Sequence, residues 1–276
     1  MEIRQSRNEC AENIILDTLY SLPREFAMSD KLPEIFWEIH RGLPREGPGD
    51  NKSTRRAYLM LKDLPRNPRI LDVGCGPGMQ TVELAKLSEG QIDALDNYQP
   101  FLDQLDLKIE KEELYRKIKL VKGDMLHLPY DNNTFDLIWS EGAIFIIGFE
   151  RGLQDFKPFL TDEGYLVVSE LSWLRTNVPL EINEYMKRVY PSIKTIKGNL
   201  NIAKKVGYSV VGFFVLPSKS WWTDYYNPIM AKLPSLKEKY KDNEEKLQHV
   251  AHHEVEIEMF RKYSNYYGYV FYEFQC

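Results

Sequence analysis

Five short apolar segments alternate with helix-forming segments between Pro68 and Glu170, and this alternation constrains the fold of the chain most strongly. The apolar segments cover residues 69–73, 91–96, 119–124, 135–139 and 165–169. Strands that alternate with helices form βαβ units, in which the strands run parallel and helices cover both faces of the sheet. The sequence therefore predicts an α/β fold with a doubly wound sheet at its core.

Two later segments, 208–216 and 267–275, are rich in aromatic and β-branched residues and predict two further strands. We expect them to form an antiparallel hairpin at one edge of the sheet. The resulting fold is a Rossmann-like, mostly parallel, seven-stranded sheet whose last strand is antiparallel.

The other segments have helical patterns and predict additions to this core. We divide the chain into an N-terminal helical lid segment, residues 1–65, and a core domain, residues 66–276. Two helical stretches of the core domain, about 172–205 and 221–263, are predicted to be cap insertions that complete the lid. Unstructured loops of that length are uncommon inside a compact domain, which favours helices there.

Charge and cysteine content narrow the class of function. The chain has a net charge of -5 and no basic tail, which argues against a nucleic-acid partner. Its cysteines, Cys10, Cys75 and Cys276, form no paired motif, so we expect neither a disulfide framework nor a zinc ribbon, and a cytoplasmic location. No long apolar run or signal sequence is present, which predicts no membrane partner. His249 and His253 lack the HExxH pattern, so no metal site is predicted.

A glycine-rich turn, Asp72-Val73-Gly74-Cys75-Gly76-Pro77-Gly78, joins the first strand to the first helix of the core. The third glycine of the dinucleotide fingerprint is replaced by Met79. A carboxylate at Asp72 would repel a pyrophosphate but suits an amino group, and Asp96 ends the second strand, where an acid binds ribose hydroxyls. The ligand indicated has a ribose and an ammonium but no phosphate, as S-adenosylmethionine (SAM) does.

Three motifs carry a resemblance to a known family over about residues 70–170. The segment ILDVGCGPG, followed by Asp96, resembles motif I of class I SAM-dependent methyltransferases. The segment GDM at 123–125 with LPY at 128–130, and FDLIWSEGA at 135–143, are similar to motifs of the ubiquinone/menaquinone-biosynthesis-like small-molecule group. The resemblance implies SAM as methyl donor and S-adenosylhomocysteine (SAH) as product.

The resemblance also implies which residues hold the cofactor. The glycine turn, with Cys75 as a small packing residue, would line the methionine part, with Asp72 near its amino group. Asp96 and Asn97 would bind the ribose, while Asp124 and Met125 would bind the adenine. Ser140 and Glu141 would close the site at the sulfonium, and Gly49 and Thr54 would cover the methionine end. The full set is Asp72, Gly74, Cys75, Gly76, Gly78, Asp96, Asn97, Asp124, Met125, Ser140, Glu141, Gly49 and Thr54.

The aromatic residues of the cap are candidates for substrate binding. The residues concerned are Trp173, Trp221, Trp222, Tyr225 and Tyr226. They would enclose the methyl acceptor, exclude water and favour a positive ligand through cation–π contact. The alternative is that they attach the cap to the sheet. Glu141 is the candidate general base, although a role in fixing the SAM ammonium or the next loop is favoured for it, and His127 and the cap tyrosines stay open as other candidates.

These features predict a methyltransferase that moves the methyl group of SAM to a small-molecule acceptor by in-line displacement. We expect a monomer or a homodimer. Two alternatives stay open: a SAM-binding regulatory or non-catalytic partner protein, and a nucleotide-dependent oxidoreductase, which Met79 and Asp72 oppose. The atom that accepts the methyl group is not predicted.

Overall fold

A computed structural model describes residues 33–276, and one mixed sheet forms its centre. The strands are β1 Arg69–Val73, β2 Gln91–Asp96, β3 Ile118–Lys122, β4 Phe135–Glu141, β5 Leu160–Trp173, β6 Lys194–Thr195, β7 Ser209–Val215 and β8 Tyr267–Gln275. Their order is β3-β2-β1-β4-β5-β8-β7, with the two-residue β6 paired to the end of β5. Strand β8 is antiparallel to both β5 and β7, and the other pairs are parallel. The predicted fold, including its antiparallel last strand, is confirmed.

Helices connect the strands and cover both faces of the sheet. They are α1 Glu34–His40, α2 Asn51–Leu59, α3 Met79–Leu87, α4 Gln99–Lys111, α5 Phe149–Phe156, α6 Leu180–Val189, α7 Ile196–Val206, α8 Lys219–Trp221, α9 Asn227–Lys239 and α10 Glu244–Tyr263. A π-helical stretch, Trp222–Tyr226, joins α8 to α9. Of the helices within residues 33–276, none has the length and apolar character needed to cross a membrane.

Side-chain caps fix where several of these helices begin. The Asp50 carboxylate accepts a hydrogen bond from the Ser53 amide at 2.7 Å and starts α2. Thr195 caps α7, and Asn243 caps α10, in the same way. These residues satisfy amides that have no partner within the helix, so the local sequence determines the helix starts.

The order of the strands places a crevice at the carboxyl end of β1. Strand β1 has β2 on one side and β4 on the other, so the chain winds outwards in two directions from this point. Ligands of doubly wound sheets bind at such a switch point. Asp72 lies in this position, paired in register with Ala94 of β2 and Trp139 of β4.

The two faces of the sheet have separate buried cores. One core includes residues of α3, α4, α9 and α10, and the other includes residues of α5 and α7. Ala203 of α7 is fully buried in the second core, together with Leu153 and Phe274. Helix α7 therefore lies in a layer of the core domain, although its sequence falls within the stretch 172–205 for which a cap is expected. Residues 221–263 are helical almost throughout.

The described part of the N-terminal segment is fastened to the helices that precede β8. Helix α1 contacts α9 and α10, and α2 packs on α3. The Lys232 ammonium of α9 donates a 2.7 Å hydrogen bond to the Ile39 carbonyl, and Lys239 forms a 2.6 Å ion pair with Glu38. The proposed division at residue 65 thus separates segments that are packed together. The first half of the predicted lid segment, residues 1–32, lies outside the described residues.

A carboxyl group without a hydrogen-bond partner lies in the middle of β8. Glu273 is 0% exposed, and neither of its side-chain oxygens has a partner within residues 33–276. Burial raises the pKa of Glu273 from 4.5 to about 7, and the positive charge of Arg56 compensates only in part. The neutral form of Glu273 is therefore the one that the folded protein favours.

Replacing Glu273 by glutamine should change how stability depends on pH. A raised pKa means that the contribution of Glu273 is fully present below about pH 4.5 and is lost as the pH rises through about 7. We expect Glu273→Gln to match the wild type in unfolding free energy near pH 4.5 and to exceed it by about 3 kcal/mol at pH 8. Urea unfolding at both pH values measures this, with exposed Glu238→Gln as control. Equal gains at both pH values would contradict the assignment.

Candidate functional site

The glycines of the turn after β1 adopt backbone conformations that other residues avoid. Gly74, Gly76 and Gly78 have φ angles of 72°, 53° and 80°. A Cβ atom on Gly74 would lie 2.5 Å from Cβ of Ala143, and one on Gly78 would lie 2.2 Å from Cδ1 of Leu105. The glycines thus meet two demands at once, a left-handed backbone and close packing.

The amides of this turn are bonded within the protein. The amides of Gly74 and Cys75 both donate to the Leu95 carbonyl, at 2.9 and 3.0 Å. The Gly76 amide donates to the Asp96 carboxylate at 2.8 Å, and the Gly78 amide donates to the Cys75 carbonyl at 3.1 Å. Glycine-rich turns that bind phosphate present free amides to it. This turn has its amides committed, which agrees with the expected ligand without phosphate.

Asp72 provides a buried oxygen with no partner. Its carboxylate is 0% exposed, and Oδ2 accepts hydrogen bonds from Thr81 Oγ1 at 2.6 Å and Gln80 Nε2 at 3.4 Å. Oδ1 has no partner in the described part of the chain. Burial, helped by the nearby charges of Glu141 and Asp96, raises the pKa of Asp72 to about 7, although the hydrogen bonds to Oδ2 oppose the shift. An ammonium group of a ligand would satisfy Oδ1 and stabilise the ionised form.

Asp96 holds the glycine turn and ends β2. Besides the Gly76 amide, its carboxylate accepts the Tyr98 amide at 2.9 Å through Oδ1. Burial raises the pKa of Asp96, although these hydrogen bonds oppose the shift. Each carboxylate oxygen has a second lone pair, so Asp96 can still accept hydroxyl groups. Beside it, the Tyr98 ring stacks on Trp37 of α1 with 3.9 Å between ring centroids, and Asn97 is exposed.

Glu141, at the end of β4, accepts hydrogen bonds from three different donors. Arg45 Nη1 reaches Oε1 at 2.8 Å, while Thr54 Oγ1 and Trp139 Nε1 reach Oε2 at 3.0 and 3.2 Å. A Cβ on Gly49 would lie 2.7 Å from Oε1, so only glycine allows the loop to approach this closely. Burial raises the pKa of Glu141, whereas Arg45 lowers it. The arrangement fastens the loop 45–54 to the sheet.

The Arg45 guanidinium also has a hydrogen-bond donor without a partner. Its Nη1 and Nη2 bind Glu141 and Asn51 Oδ1, but its buried Nε has no partner within residues 33–276. Glu141 connects the two groups, because it accepts a hydrogen bond from Arg45 Nη1 and its negative charge raises the pKa of Asp72. A carboxylate beside an ammonium, as in an amino acid, is the chemical complement of this pair.

A chain of hydrogen bonds connects the same loop to the cap. Glu46 Oε2 lies 2.8 Å from His40 Nδ1, and His40 Nε2 lies 3.3 Å from His253 Nε2. His253 Nδ1 lies 2.9 Å from the His249 carbonyl, which can only accept, so Nδ1 is the donor. With both rings neutral, His40 Nε2 then donates to His253 and Glu46 must donate to His40. Burial raises the pKa of Glu46 to about 8 and lowers that of His40 to about 3, which agrees with this assignment.

The comparisons with known proteins agree with this geometry. Residues 70–164 match a family model described as a methyltransferase domain. A demethylmenaquinone methyltransferase of Lactobacillus johnsonii is 29% identical over 205 residues, which cover 68% of this chain and 83% of that protein. Residues 70–164 therefore carry a methyltransferase domain, and the chain is similar to known methyltransferases beyond it.

Other similar proteins share a part of their length or the fold. An uncharacterized methyltransferase of Schizosaccharomyces pombe is 39% identical over 122 residues, which cover 42% of this chain and 44% of that protein. A sterol 24-C-methyltransferase of Gibberella zeae is 29% identical over 169 residues, covering 59% of this chain and 44% of that protein. This chain therefore matches less than half the length of these two relatives. A crystal structure of a SAM-dependent methyltransferase from Geobacter sulfurreducens with SAH has a TM-score of 0.75 at 18% identity, covering 88% of this chain and 98% of that one.

The other residues predicted to bind the cofactor differ in their exposure and in their hydrogen-bond partners. Met125 Cε would lie 3.4 Å from a Cβ on Gly74, so its side chain borders the turn. Asp124 accepts the Leu126 amide at 2.9 Å and is half-exposed. Ser140 Oγ donates to the Val73 carbonyl at 3.1 Å, so its hydroxyl proton holds β4 to β1. Cys75 is buried, and burial raises the pKa of its thiol.

The predicted substrate-binding aromatics form one cluster with an outlying member. Trp221 stacks on Phe260 of α10 at 3.9 Å, and Trp222 and Tyr225 lie within 5.5 Å of the Tyr226 ring. Trp173 lies near the edge of this cluster, 6.4 Å from Tyr267, and also lines an open groove of about 390 Å³. The structure thus brings four of the five together around α10. His127 is exposed, 3.7 Å from Asp124.

Sequence reasoning missed several residues of this site. Arg45 and Glu46 lie in the loop that is expected to cover the methionine end. Two charged residues in that loop are the sequence signal that could have identified them. His40 had no such signal, because its partners Glu46 and His253 come together only through the packing of α1 on α10.

The turn glycines provide a matched test. We expect Gly74→Ala to lower the unfolding free energy by about 2 to 5 kcal/mol, because the left-handed backbone and the contact with Ala143 are both unfavourable. SAH affinity should fall at least tenfold. Gly47→Ala is the control, since nothing lies within 4 Å of its Cβ position. Urea unfolding and calorimetric titration with SAH measure both effects, and equal behaviour of the two variants would contradict the geometry.

Proposed function

We propose that the unmet pair Asp72 Oδ1 and Arg45 Nε binds the amino-acid end of SAM, and that the protein methylates a small-molecule acceptor from there. The single observation that supports this is that both atoms, a donor and an acceptor, are buried without a hydrogen-bond partner within residues 33–276. An ammonium and a carboxylate on one carbon would fill both. Asp96, 24 positions after Asp72 in the sequence and at the next strand end, suits the ribose hydroxyls.

The remaining cofactor contacts follow from the same orientation. Met125 would pack on the adenine ring and Asp124 would accept its amino group, with Asn97 beside the ribose. Gly49 and Thr54 would cover the methionine end through their contacts with the Glu141 carboxylate. Ser140 would support this end by holding β4 against β1.

Bound SAM supplies a methyl group on a positively charged sulfur. The residues of this chain contribute position and exclusion of water. The loop 45–54 closes over the turn and is held by Glu141, and its Gly49 amide donates to the Ser220 carbonyl at 3.3 Å. We assign Glu141 a positioning role, because its oxygens already accept hydrogen bonds from Arg45, Thr54 and Trp139.

We propose that the acceptor lies on the cap side of the site, among the aromatic residues around α10. The relatives named as demethylmenaquinone and sterol 24-C-methyltransferases support a small organic acceptor. The net charge of -5 supports an acceptor other than nucleic acid. We also propose a cytoplasmic location, and a protein that acts as a monomer or a homodimer.

Calorimetric titration with SAH tests the proposed function. The wild type should bind SAH and not NADH. We expect Asp72→Asn and Arg45→Met each to weaken SAH binding at least tenfold, because each removes a charged partner of the amino-acid end.

Asp96→Ala should weaken SAH binding as strongly, through loss of the ribose contact. Exposed Asp103→Asn on α4 is the matched control and should bind as the wild type does. A wild type that binds NADH instead of SAH would overturn the proposal. Binding of SAH without methyl transfer to any acceptor would favour the regulatory alternative.

A further inference from the structure

Two carboxyl groups have no cationic partner within residues 33–276. Glu170, near the end of β5, is 2% exposed, and Glu256, on α10, is half-buried. Within residues 33–276 no lysine, arginine or histidine shifts the pKa of either group. Buried acids are normally paired with a positive charge. At the cofactor end, Arg45 supplies that charge to Glu141.

Glu170 follows a residue that is bonded to the segment after β4. The Gly142 amide, directly after Glu141, donates a 2.8 Å hydrogen bond to Oγ of Ser169, the neighbour of Glu170. The Tyr190 hydroxyl donates to Oε1 of Glu170, and Oε2 has no partner in the described chain. Tyr190 also contacts Phe145, at 6.3 Å between ring centroids, and Glu141 pairs in register with Ser169, so Glu170 lies just beyond the carboxyl end of β4.

Glu256 is connected to Glu170 through aromatic residues. The Tyr226 hydroxyl donates to Glu256 Oε1 at 2.9 Å. Tyr269 of β8 pairs in register with Leu171, the neighbour of Glu170, and the charges of Glu170 and Glu256 both raise the pKa of Tyr269. Trp221 lies 5.4 Å from Tyr269, and its buried Nε1 has no hydrogen-bond partner within residues 33–276.

We propose that this cluster, Glu170, Tyr190, Tyr226, Glu256, Tyr269 and Trp221, binds a methyl acceptor that carries a positively charged amine. The proposal rests on the proposed methyltransferase function and specifies its substrate class. The two carboxylates supply the charge that an ammonium requires, and the electron-rich faces of the aromatic rings attract it further. The free Trp221 Nε1 suits an oxygen elsewhere on the same acceptor.

Methylation of such an acceptor requires removal of a proton, and Glu170 is placed to take it. Oε2 of the ionised Glu170 accepts the proton of the ammonium, which leaves a neutral nitrogen with a lone pair. The nitrogen forms the new bond to the methyl carbon while the bond between that carbon and sulfur breaks. The electron pair of the broken bond stays on sulfur, so charge and atoms balance.

The ionisation of the two carboxyls agrees with this role. Burial raises the pKa of Glu170 to about 8 and that of Glu256 to about 7, so both are largely or partly protonated at neutral pH. A bound cation would lower both pKa values and expel protons. The other titratable groups facing them are Tyr190, Tyr269 and Tyr272 for Glu170, and Tyr185, Tyr226, Tyr267 and Tyr269 for Glu256.

A pair of probes separates charge recognition from shape. Choline carries a fixed positive charge, and 3,3-dimethylbutan-1-ol has the same shape without it. With SAH at saturation, we expect the protein to bind choline at least tenfold more tightly than the alcohol. Calorimetry at pH 7 in buffers of different ionisation heat should show about one proton released for each choline bound.

Variants assign the effect to the two carboxyls. Glu170→Gln and Glu256→Gln should each weaken choline binding at least tenfold, and Glu170→Gln should abolish most of the proton release. Glu273→Gln, which changes a buried carboxyl outside this cluster, should leave both unchanged. SAH affinity should be equal in all of these proteins.

Two results would overturn the inference. One is choline that binds no better than the alcohol, or not at all, to protein that binds SAH. The other is choline binding that both glutamine variants retain. Either result leaves the proposed function standing, whereas loss of SAH binding in the wild type would remove the function itself.

Discussion

The buried ion pair between Arg45 and Glu141 is the interaction on which the arrangement of the site depends. It joins a loop near the start of the described chain to the end of a central strand, 96 positions away in sequence. Removal of one member of a buried pair costs about 3 to 5 kcal/mol, since the other charge is left without a partner. The pair sets the closeness of Gly49 and the position of the free Arg45 Nε, so the loop and the amino-acid end of the site form together.

Buried acids are compensated differently in three regions of the site. Around the glycine turn, buried acids are balanced by Arg45 or by hydrogen bonds from turn amides and hydroxyls. Where the loop meets the cap, Glu46 is held neutral within a chain of uncharged groups that runs to His253. On the acceptor side, the donors to Glu170 and Glu256 within residues 33–276 are tyrosine hydroxyls. Of these three regions, this one therefore has two carboxyls whose charge no neighbouring cation balances.

The sequence predicts those parts of the fold and site that depend on neighbours in the chain. Asp72 and Asp96 were identifiable because each ends a strand, and the carboxyl ends of parallel strands meet at one edge. The antiparallel edge was identifiable from two aromatic and β-branched runs. Arg45, Glu170 and Tyr190 were not, because their roles come from contacts between distant segments. Helix α7 shows the same limit: its apolar residues indicate burial but not which surface they pack against.

The internal bonding of the turn amides has a consequence for the catalytic cycle. A turn that is already ordered does not have to lose conformational freedom when a ligand binds, so no cost of ordering it reduces the free energy of binding. The contacts proposed for Asp72, Arg45 and Asp96 address parts that SAM and SAH have in common. Donor and product then differ only in the methyl group and in the positive charge on sulfur, which the surrounding acids favour. Product inhibition is thus an inherent property of such a site, and the field of its carboxylates is what limits it.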